Sequence, residues 1–226
     1  MLENMKRISK PEKYRLRNSL YVKISMEENM ITNAVMENII TRRTIRRFLD
    51  RQIREEELQT VLDAGLYAPS AGGRQGVLFV VSQDKETNKK LGKIKRSNSN
   101  VKMSTDTAYI SKEQPSIADD PDITNAFYDA PTVITLFVPK NFLYAPYDAS
   151  AAAENMLLAA HSIGLGGCYI GSAWESFADP FGQEVLRKWN IRTDYYAALH
   201  VLLGYPKDER APKGKARNDG RIIRVG

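Results

Sequence analysis

The sequence has little of what builds metal centres or disulfides. Among 226 residues there is one cysteine, Cys168, and there are two histidines, His161 and His200. One cysteine excludes an internal disulfide, and so sparse a set of soft ligands with no local ligand spacing argues against a zinc site. Long apolar runs are absent as well. Lys23 interrupts the best N-terminal stretch, so no signal peptide is expected. The window from Ala149 to Ala173 carries Glu154 and His161 and is a poor membrane span. A reducing, cytoplasmic setting with no membrane partner is the expectation. What is present suits a globular enzyme or binding domain: 42% apolar and 27% charged residues, on a chain long enough to bury about 70% of its unfolded surface.

The net charge of +6 is uneven. Residues 1–25 carry +5 and residues 207–226 carry +4, so the stretch 26–206 is at −3. The basicity describes two ends, and a nucleic-acid partner is not expected. Residues 1–25 lack an amphipathic period and read as a basic extension. Residues 26–226 read as one domain with a C-terminal arm at 207–226.

From Glu28 the pattern turns helical, with Ile31, Val35 and Ile39 on one face. A second helix is predicted from Glu55-Glu56-Glu57, whose carboxylates meet the positive end of the helix dipole, with a buried stripe of Leu58, Val61, Leu62 and Gly65/Leu66. Pro69 to Gly73 breaks it. Val77–Val81 and Val133–Val138 read as buried strands, residues 83–100 as a basic helix, and 101–130 as an irregular excursion, a candidate cover. Asp148 is the predicted cap of an Ala-rich helix over 149–163, closed by Gly164. Cys168–Ile170 is a short strand, Asp179-Pro180 opens a helix, and Ala197–Leu203 is a strand. Arg221–Val225 is a candidate last strand. Helices and strands mix without a βαβ rhythm, so the fold class is α+β.

Searches for catalytic motifs return little. There is no phosphate-binding Gly-x-x-x-x-Gly-Lys loop, and Gly164-Leu165-Gly166-Gly167 follows a helix and lacks the third glycine of a dinucleotide fingerprint. The acidic cluster at 119–122 lacks the glycine and glutamate of a calcium loop. A Cys168–His200 nucleophile pair stays open, with no local signature to support it. His161 reads as a packed or surface side chain. The salient feature is cationic: Arg42, Arg43, Arg46, Arg47, Arg51 and Arg54 lie within thirteen residues. Read as helix, Arg42/Arg46 and Arg43/Arg47 stand one turn apart and repel. They form either a solvated face, the better reading taken alone, or an anion clamp, to which Lys213, Lys215 and Arg217 can converge.

Four segments, in order, resemble the FMN-dependent nitroreductase family. They are Thr41-Arg42-Arg43-Thr44-Ile45-Arg46; Ala68-Pro69-Ser70-Ala71-Gly72-Gly73-Arg74-Gln75; Ala130-Pro131 with the following strand, the helix after Asp148 and the turn Gly164–Gly171; and Leu203-Gly204-Tyr205-Pro206 with Lys215-Ala216-Arg217. The resemblance implies a central, mostly antiparallel sheet flanked by helices and an intertwined homodimer with exchanged C-terminal arms. It implies FMN, with NADH or NADPH as hydride donor and a nitroaromatic, quinone or activated alkene as acceptor in ping-pong turnover. By position, Arg42, Arg43, Lys215 and Arg217 would hold the phosphate and ribityl side, and Thr44 and Arg46 the pyrimidine end. Pro69, Ser70, Ala71 and Gly73, with Gln75 of the same loop, would approach from the partner subunit. Tyr169, Ile170 and Gly171 would line the ring edge, and Ile222–Val225 would add a strand to the other protomer. No side chain does covalent chemistry and no metal is implied. Gly73 stands where the family often has Asn, and Gly76-Val77 where Pro-Trp is frequent, which bears on the pocket wall. Asn98 or Asn100 is a candidate ring contact. The rival readings are a reductive dehalogenase or flavin-cleaving enzyme on the same scaffold, a flavin sensor without turnover, and a nucleic-acid-binding protein.

Overall fold

A computed structural model describes residues 31–99 and 112–226. The basic extension 1–25, the residues before Ile31 and the stretch 100–111, including Asn100, lie outside the described residues. The chain divides into a unit Met1–Glu37 and a unit Asn38–Gly226. Within the first unit, the Asn33 side chain accepts from the N–H groups of Val35 and Met36, both at 3.0 Å, and starts helix α1 (Ala34–Thr41). Ile31 therefore lies ahead of this helix, and Glu28 falls outside the described residues.

The second unit is organised by one antiparallel sheet of four strands in the order β1-β2-β4-β3: β1 (Leu78–Ser82), β2 (Thr132–Pro139), β3 (Gly166–Gly171) and β4 (Tyr195–Gly204). Both faces are covered, which is why β2 is largely apolar on both sides, with Thr132 and Thr135 as the buried polar exceptions. On one face Ile134, Leu136, Leu199, Val201 and Leu203 pack against α2 (Glu55–Leu66) and α4 (Ala145–Ser162). Alanines 149, 152, 153 and 160 let α4 approach closely. On the other face Val133, Phe137, Ala197 and Leu202 pack against Leu91 of α3 (Lys85–Asn98), Phe127, Phe177 and Val185 of α5 (Pro180–Lys188).

Local chemistry sets the helix ends. Asp84 accepts from Thr87 N–H at 2.8 Å to start α3, and Asp179 accepts from Gly182 N–H at 2.8 Å to start α5, with Pro180 in the first turn. Glu57 accepts from Arg54 N–H at 2.9 Å at the start of α2. Gly164 at φ 86° ends α4, where Leu165 N–H reaches Ala160 O at 2.9 Å.

Several expectations are corrected. α4 starts at Ala145, so Asp148 lies inside its first turn and is not its cap. β1 is an edge strand, half exposed along its length, because a run of apolar residues does not by itself tell a central strand from an edge. Leu66 is 60% exposed and leaves the stripe of α2. The described part of the 101–130 excursion is irregular but partly core: Ala126, Phe127 and Ala130 are buried. Residues 221–226 form no strand within the chain, and Ile222, Ile223 and Val225 are exposed.

Candidate functional site

The arginine-rich segment is not helical beyond Thr41. The spacing argument that put Arg42 above Arg46 and Arg43 above Arg47 therefore fails. Instead the segment runs extended along the free edge of β3. Thr44 bridges Gly167 in parallel, and Ile45 N–H donates to Gly167 O at 3.0 Å. Gly166 is required there, since a Cβ would lie 2.9 Å from Ile45. Further on, Phe48 bridges Pro206, Leu49 N–H donates to Tyr205 O, and Lys207 N–H donates to Arg47 O, both at 2.9 Å. This stitching fixes Thr44 and Ile45 beside Gly167, two residues before Tyr169, Ile170 and Gly171 begin on the same strand. Of these, Tyr169 is exposed and its hydroxyl lies 3.1 Å from Ser150 Oγ.

The six arginines divide their work. Arg47 pairs with Asp208 at 3.4 Å, Arg54 with Glu56 and Glu57 at 2.8 Å each, and Arg51 lies 3.8 Å from the centre of the Tyr205 ring. These three are structural. Arg43 Nη1 donates to Ile40 O and Arg42 O, both at 2.7 Å, closing the carbonyl end of α1. Its guanidinium lies over the backbone of Gly214, where a Cβ would come within 2.3 Å of it. Burial lowers the Arg43 pKa, and the charges of Arg217 and Arg42 lower it further. The C-terminal segment carrying Lys215 and Arg217 thus returns to the arginine motif, and three like charges sit in one another's field. Among the described residues Arg42 has a long contact with Glu154, at 4.0 Å. Such a concentration of guanidiniums fits a dianionic phosphate.

Arg46 is turned inward. Its backbone N–H donates to Gln114 Oε1 and its Nη1 to Gln114 O, each at 2.6 Å. Its Nε is buried with no hydrogen-bond partner. An unsatisfied donor on a cation fits an acceptor supplied by a bound group.

The loop Pro69–Gln75 is rigid in a way the sequence did not suggest. A 3₁₀ turn at Ala71–Gly73 places Gly72 and Gly73 at φ 63° and 65°. Ala71 N–H donates to Asp148 Oδ1 at 2.9 Å, and Gln75 N–H to Ser70 Oγ at 3.0 Å. Asp148 therefore fixes this loop. Open space around Gly73 accepts a side chain, and its left-handed conformation is one that Asn tolerates. Among the described residues no hydrogen bond joins this loop to residues 42–46 or 166–171. Asn98 donates to Ile94 O and Glu175 O and serves the end of α3.

The histidine readings resolve. His200 is fully buried, 2.9 Å from Thr135 Oγ1 and 3.0 Å from Ser176 Oγ. Burial pushes its pKa down to about 3, with the Lys95 charge adding to the shift. Cys168 is buried, and its thiol is pushed up to about 11 by burial. A neutral, buried thiol and an imidazole already held by two hydroxyls make no nucleophile pair. His161 lies 3.0 Å from Thr41 Oγ1 and is held neutral by burial, helped by Arg42 and Arg43. Among the described residues no cluster of three metal-ligating side chains occurs, and no helix is long and apolar enough to cross a membrane. Two hollows, one near Arg96 and Ser99 and one between Asp50, Lys85, Asn88 and Asp129, include none of the predicted site residues.

A sequence profile of the Nitroreductase family matches residues 39–205, well over half of the chain. The chain belongs to the Nitroreductase family. It is 32% identical over 172 residues to a putative NADH dehydrogenase/NAD(P)H nitroreductase of Archaeoglobus fulgidus, covering 76% of this chain and 85% of that one. It is 32% identical over 192 residues to an NADPH-flavin oxidoreductase of Vibrio harveyi, covering 84% and 72%. In structure it resembles a nitroreductase with bound FMN from Bacteroides fragilis, with a TM-score of 0.70 and 26% identity over 86% of this chain and all of the other. The nitroreductase-like fold expected from the sequence is the one observed.

Proposed function

We propose that the chain is an FMN-dependent oxidoreductase that moves hydride from NADH or NADPH to an oxidised small-molecule acceptor, a nitroaromatic, quinone or activated alkene, in ping-pong half-reactions. The observation that carries this reading is the convergence of Arg42, Arg43 and Arg217 beside the edge of β3, on a chain of this family. The relatives that bind flavin or carry a nitroreductase name support it.

When bound, FMN would supply the hydride chemistry. The chain's own groups bind and orient. Arg42, Arg43, Lys215 and Arg217 would hold the phosphate and ribityl side. Arg46 and Thr44 would face the pyrimidine end, where a fixed cation favours the negative charge that reduction adds. Tyr169, Ile170 and Gly171 would border the ring. Pro69, Ser70, Ala71, Gly73 and Gln75 would close the site from a second copy of the chain. Exposed Ile222, Ile223 and Val225 would serve as the exchanged arm.

The test is the visible spectrum of the purified protein, the identity of the cofactor released on denaturation, and NAD(P)H oxidation with menadione. A yellow protein releasing about one FMN per chain and turning over NAD(P)H is expected. Arg217→Ala should weaken FMN binding by roughly 10- to 100-fold, the loss of one charge-assisted contact of about 1.5–3 kcal/mol. A colourless protein that also fails to take up added FMN would refute the reading.

A further inference from the structure

The most unusual polar cluster outside the motifs is built on Gln114, a residue of the otherwise irregular stretch after 111. It is 3% exposed and its polar groups reach two separate segments. Gln114 Oε1 accepts from Arg46 N–H and its backbone O accepts from Arg46 Nη1, each at 2.6 Å. Its Nε2 donates to Asp208 Oδ2 at 2.9 Å, and the other oxygen of Asp208 pairs with Arg47 at 3.4 Å. The preceding Glu113 accepts from Lys213 N–H at 2.8 Å, two residues before Lys215. Gln114 thus clips the arginine motif to the chain that follows β4.

The consequence falls on one side chain. A free arginine loses much rotamer freedom when fixed. Here both the backbone and the guanidinium of Arg46 are set by a single residue. The Tyr128 ring adds a second wall, its centre 5.8 Å from the guanidinium carbon, within cation–π range. Tyr128 is itself anchored, since its hydroxyl accepts from Ile117 N–H at 3.1 Å. The clip leaves Arg46 Nε buried without a hydrogen bond of its own, and fixes the guanidinium between Gln114 and the Tyr128 ring, where it acts on the Cys168 thiol as well.

Resting on the functional reading above, we infer that Gln114 is a positioning residue that holds the Arg46 guanidinium toward the pyrimidine end of the flavin and thereby sets how strongly the protein prefers reduced over oxidised FMN. A fixed cation acts more strongly on a charge that appears during the reaction than a mobile one, because no reorganisation is needed when the charge forms. The family motifs name Arg46. The residue that aims it comes from a segment those motifs do not include.

The experiment compares wild type, Arg46→Ala, Gln114→Ala, Gln114→Glu and the Arg46→Ala/Gln114→Ala double variant. For each, the affinity for oxidised FMN and the midpoint potential of the bound flavin are measured by dye-equilibrated anaerobic titration. Gln114→Ala should cut the preference for reduced flavin about tenfold, a midpoint about 30 mV more negative for a two-electron couple. Gln114→Glu keeps the acceptor for Arg46 N–H but sets a carboxylate beside the guanidinium and Asp208. It should lower the potential at least as far, and it carries the test if the alanine variant does not fold. In the Arg46→Ala background the Gln114→Ala shift should vanish, as it must if Gln114 acts through Arg46. A Gln114→Ala potential equal to wild type, or a shift that persists without Arg46, overturns the inference while leaving the functional reading intact. An Arg46→Ala protein that binds FMN at unchanged potential removes Arg46 from the pyrimidine end and the inference with it. A wild type that binds no FMN ends both.

Discussion

Acidification should destabilise this protein through His200. The residue sits on β4 opposite Thr135 of β2 and Ile170 of β3, with no solvent exposure. The Phe127 ring meets it edge-on at 4.7 Å between ring centres and Phe177 lies at 6.2 Å. Its two ring nitrogens are served by Thr135 and Ser176, hydroxyls that can each donate or accept, so the neutral ring is satisfied. No carboxylate is hydrogen-bonded to the ring. The charge that acts on it is the cation of Lys95, which is paired with Glu175. The folded pKa is therefore about 3, against about 6.5 in the unfolded chain. The folded value is depressed, so between pH 6.5 and pH 3 the unfolded chain binds a proton that the native chain refuses. Stability is then full above about pH 6.5 and falls as pH drops through that window. At 1.36 kcal/mol per pH unit the loss reaches about 2 kcal/mol at pH 5 and about 4 kcal/mol at pH 3, an order-of-magnitude figure. Urea midpoints of wild type and His200→Gln from pH 8 to pH 4.5 measure it, because carboxylate contributions are common to both and cancel in the difference. With only two histidines in the sequence, ring-proton NMR gives a direct readout. Equal pH slopes in the two proteins, or a His200 titration midpoint near 6, would refute the reasoning.

Two further perturbations separate loop anchoring from core packing. Asp148→Ala should leave Ala71 N–H without its acceptor and cost about 1.5–3 kcal/mol, with faster amide exchange in residues 70–75 and weaker FMN binding, whereas Asp148→Asn keeps the acceptor and most of the stability. Equal denaturation midpoints for Asp148→Ala and wild type would remove the anchor role. Gly92→Ala should reverse the usual sign for a helix: instead of gaining up to about 1 kcal/mol, it should lose roughly 1–3 kcal/mol by urea denaturation, because its Cβ would fall 1.8 Å from Asn125 Oδ1 and 3.0 Å from the Phe127 ring.

The sequence was most legible where local chemistry and burial agree. Three glutamates and a stripe of Leu58, Val61 and Gly65 mark α2, Asp179-Pro180 marks α5, and the apolar run of β2 marks a strand buried on both faces. It misled where one residue type serves two roles. Asp148 looks like a cap because it precedes an alanine run, but Tyr144 and Ala145 already open the helix and its carboxylate is free for Ala71, 77 positions away. The arginine motif looks helical by continuation from α1. The repulsion of like charges one turn apart is a local reason for the helix to stop at Thr41, and β3 offers an edge to pair with instead. Gln114 carried no signal at all. It lies in a polar stretch, and its burial depends on segments 68 and 94 residues away.

The same geometry explains why the phosphate-binding residues were the easiest part of the candidate site to find and would be the most expensive to keep without a ligand. A chain gains nothing in stability from setting Arg42, Arg43 and Arg217 within one another's fields. Burial and mutual repulsion make the charged state of Arg43 harder to hold. Ordinary structural arginines in this chain find carboxylates or an aromatic ring, as Arg47, Arg51 and Arg54 do. Arg42 has a long 4.0 Å contact with Glu154, and Arg43 bonds the carbonyls of Ile40 and Arg42 while Arg217 and Arg42 act on its charge. A dianion placed among them removes the repulsion and adds attraction, so its binding stabilises the native chain by mass action and the unfolded chain not at all. Arg46 extends the logic to the other end of the site: aimed by Gln114 and left with an unpartnered Nε, it is an electrostatic group set in advance for a charge the chain itself does not supply.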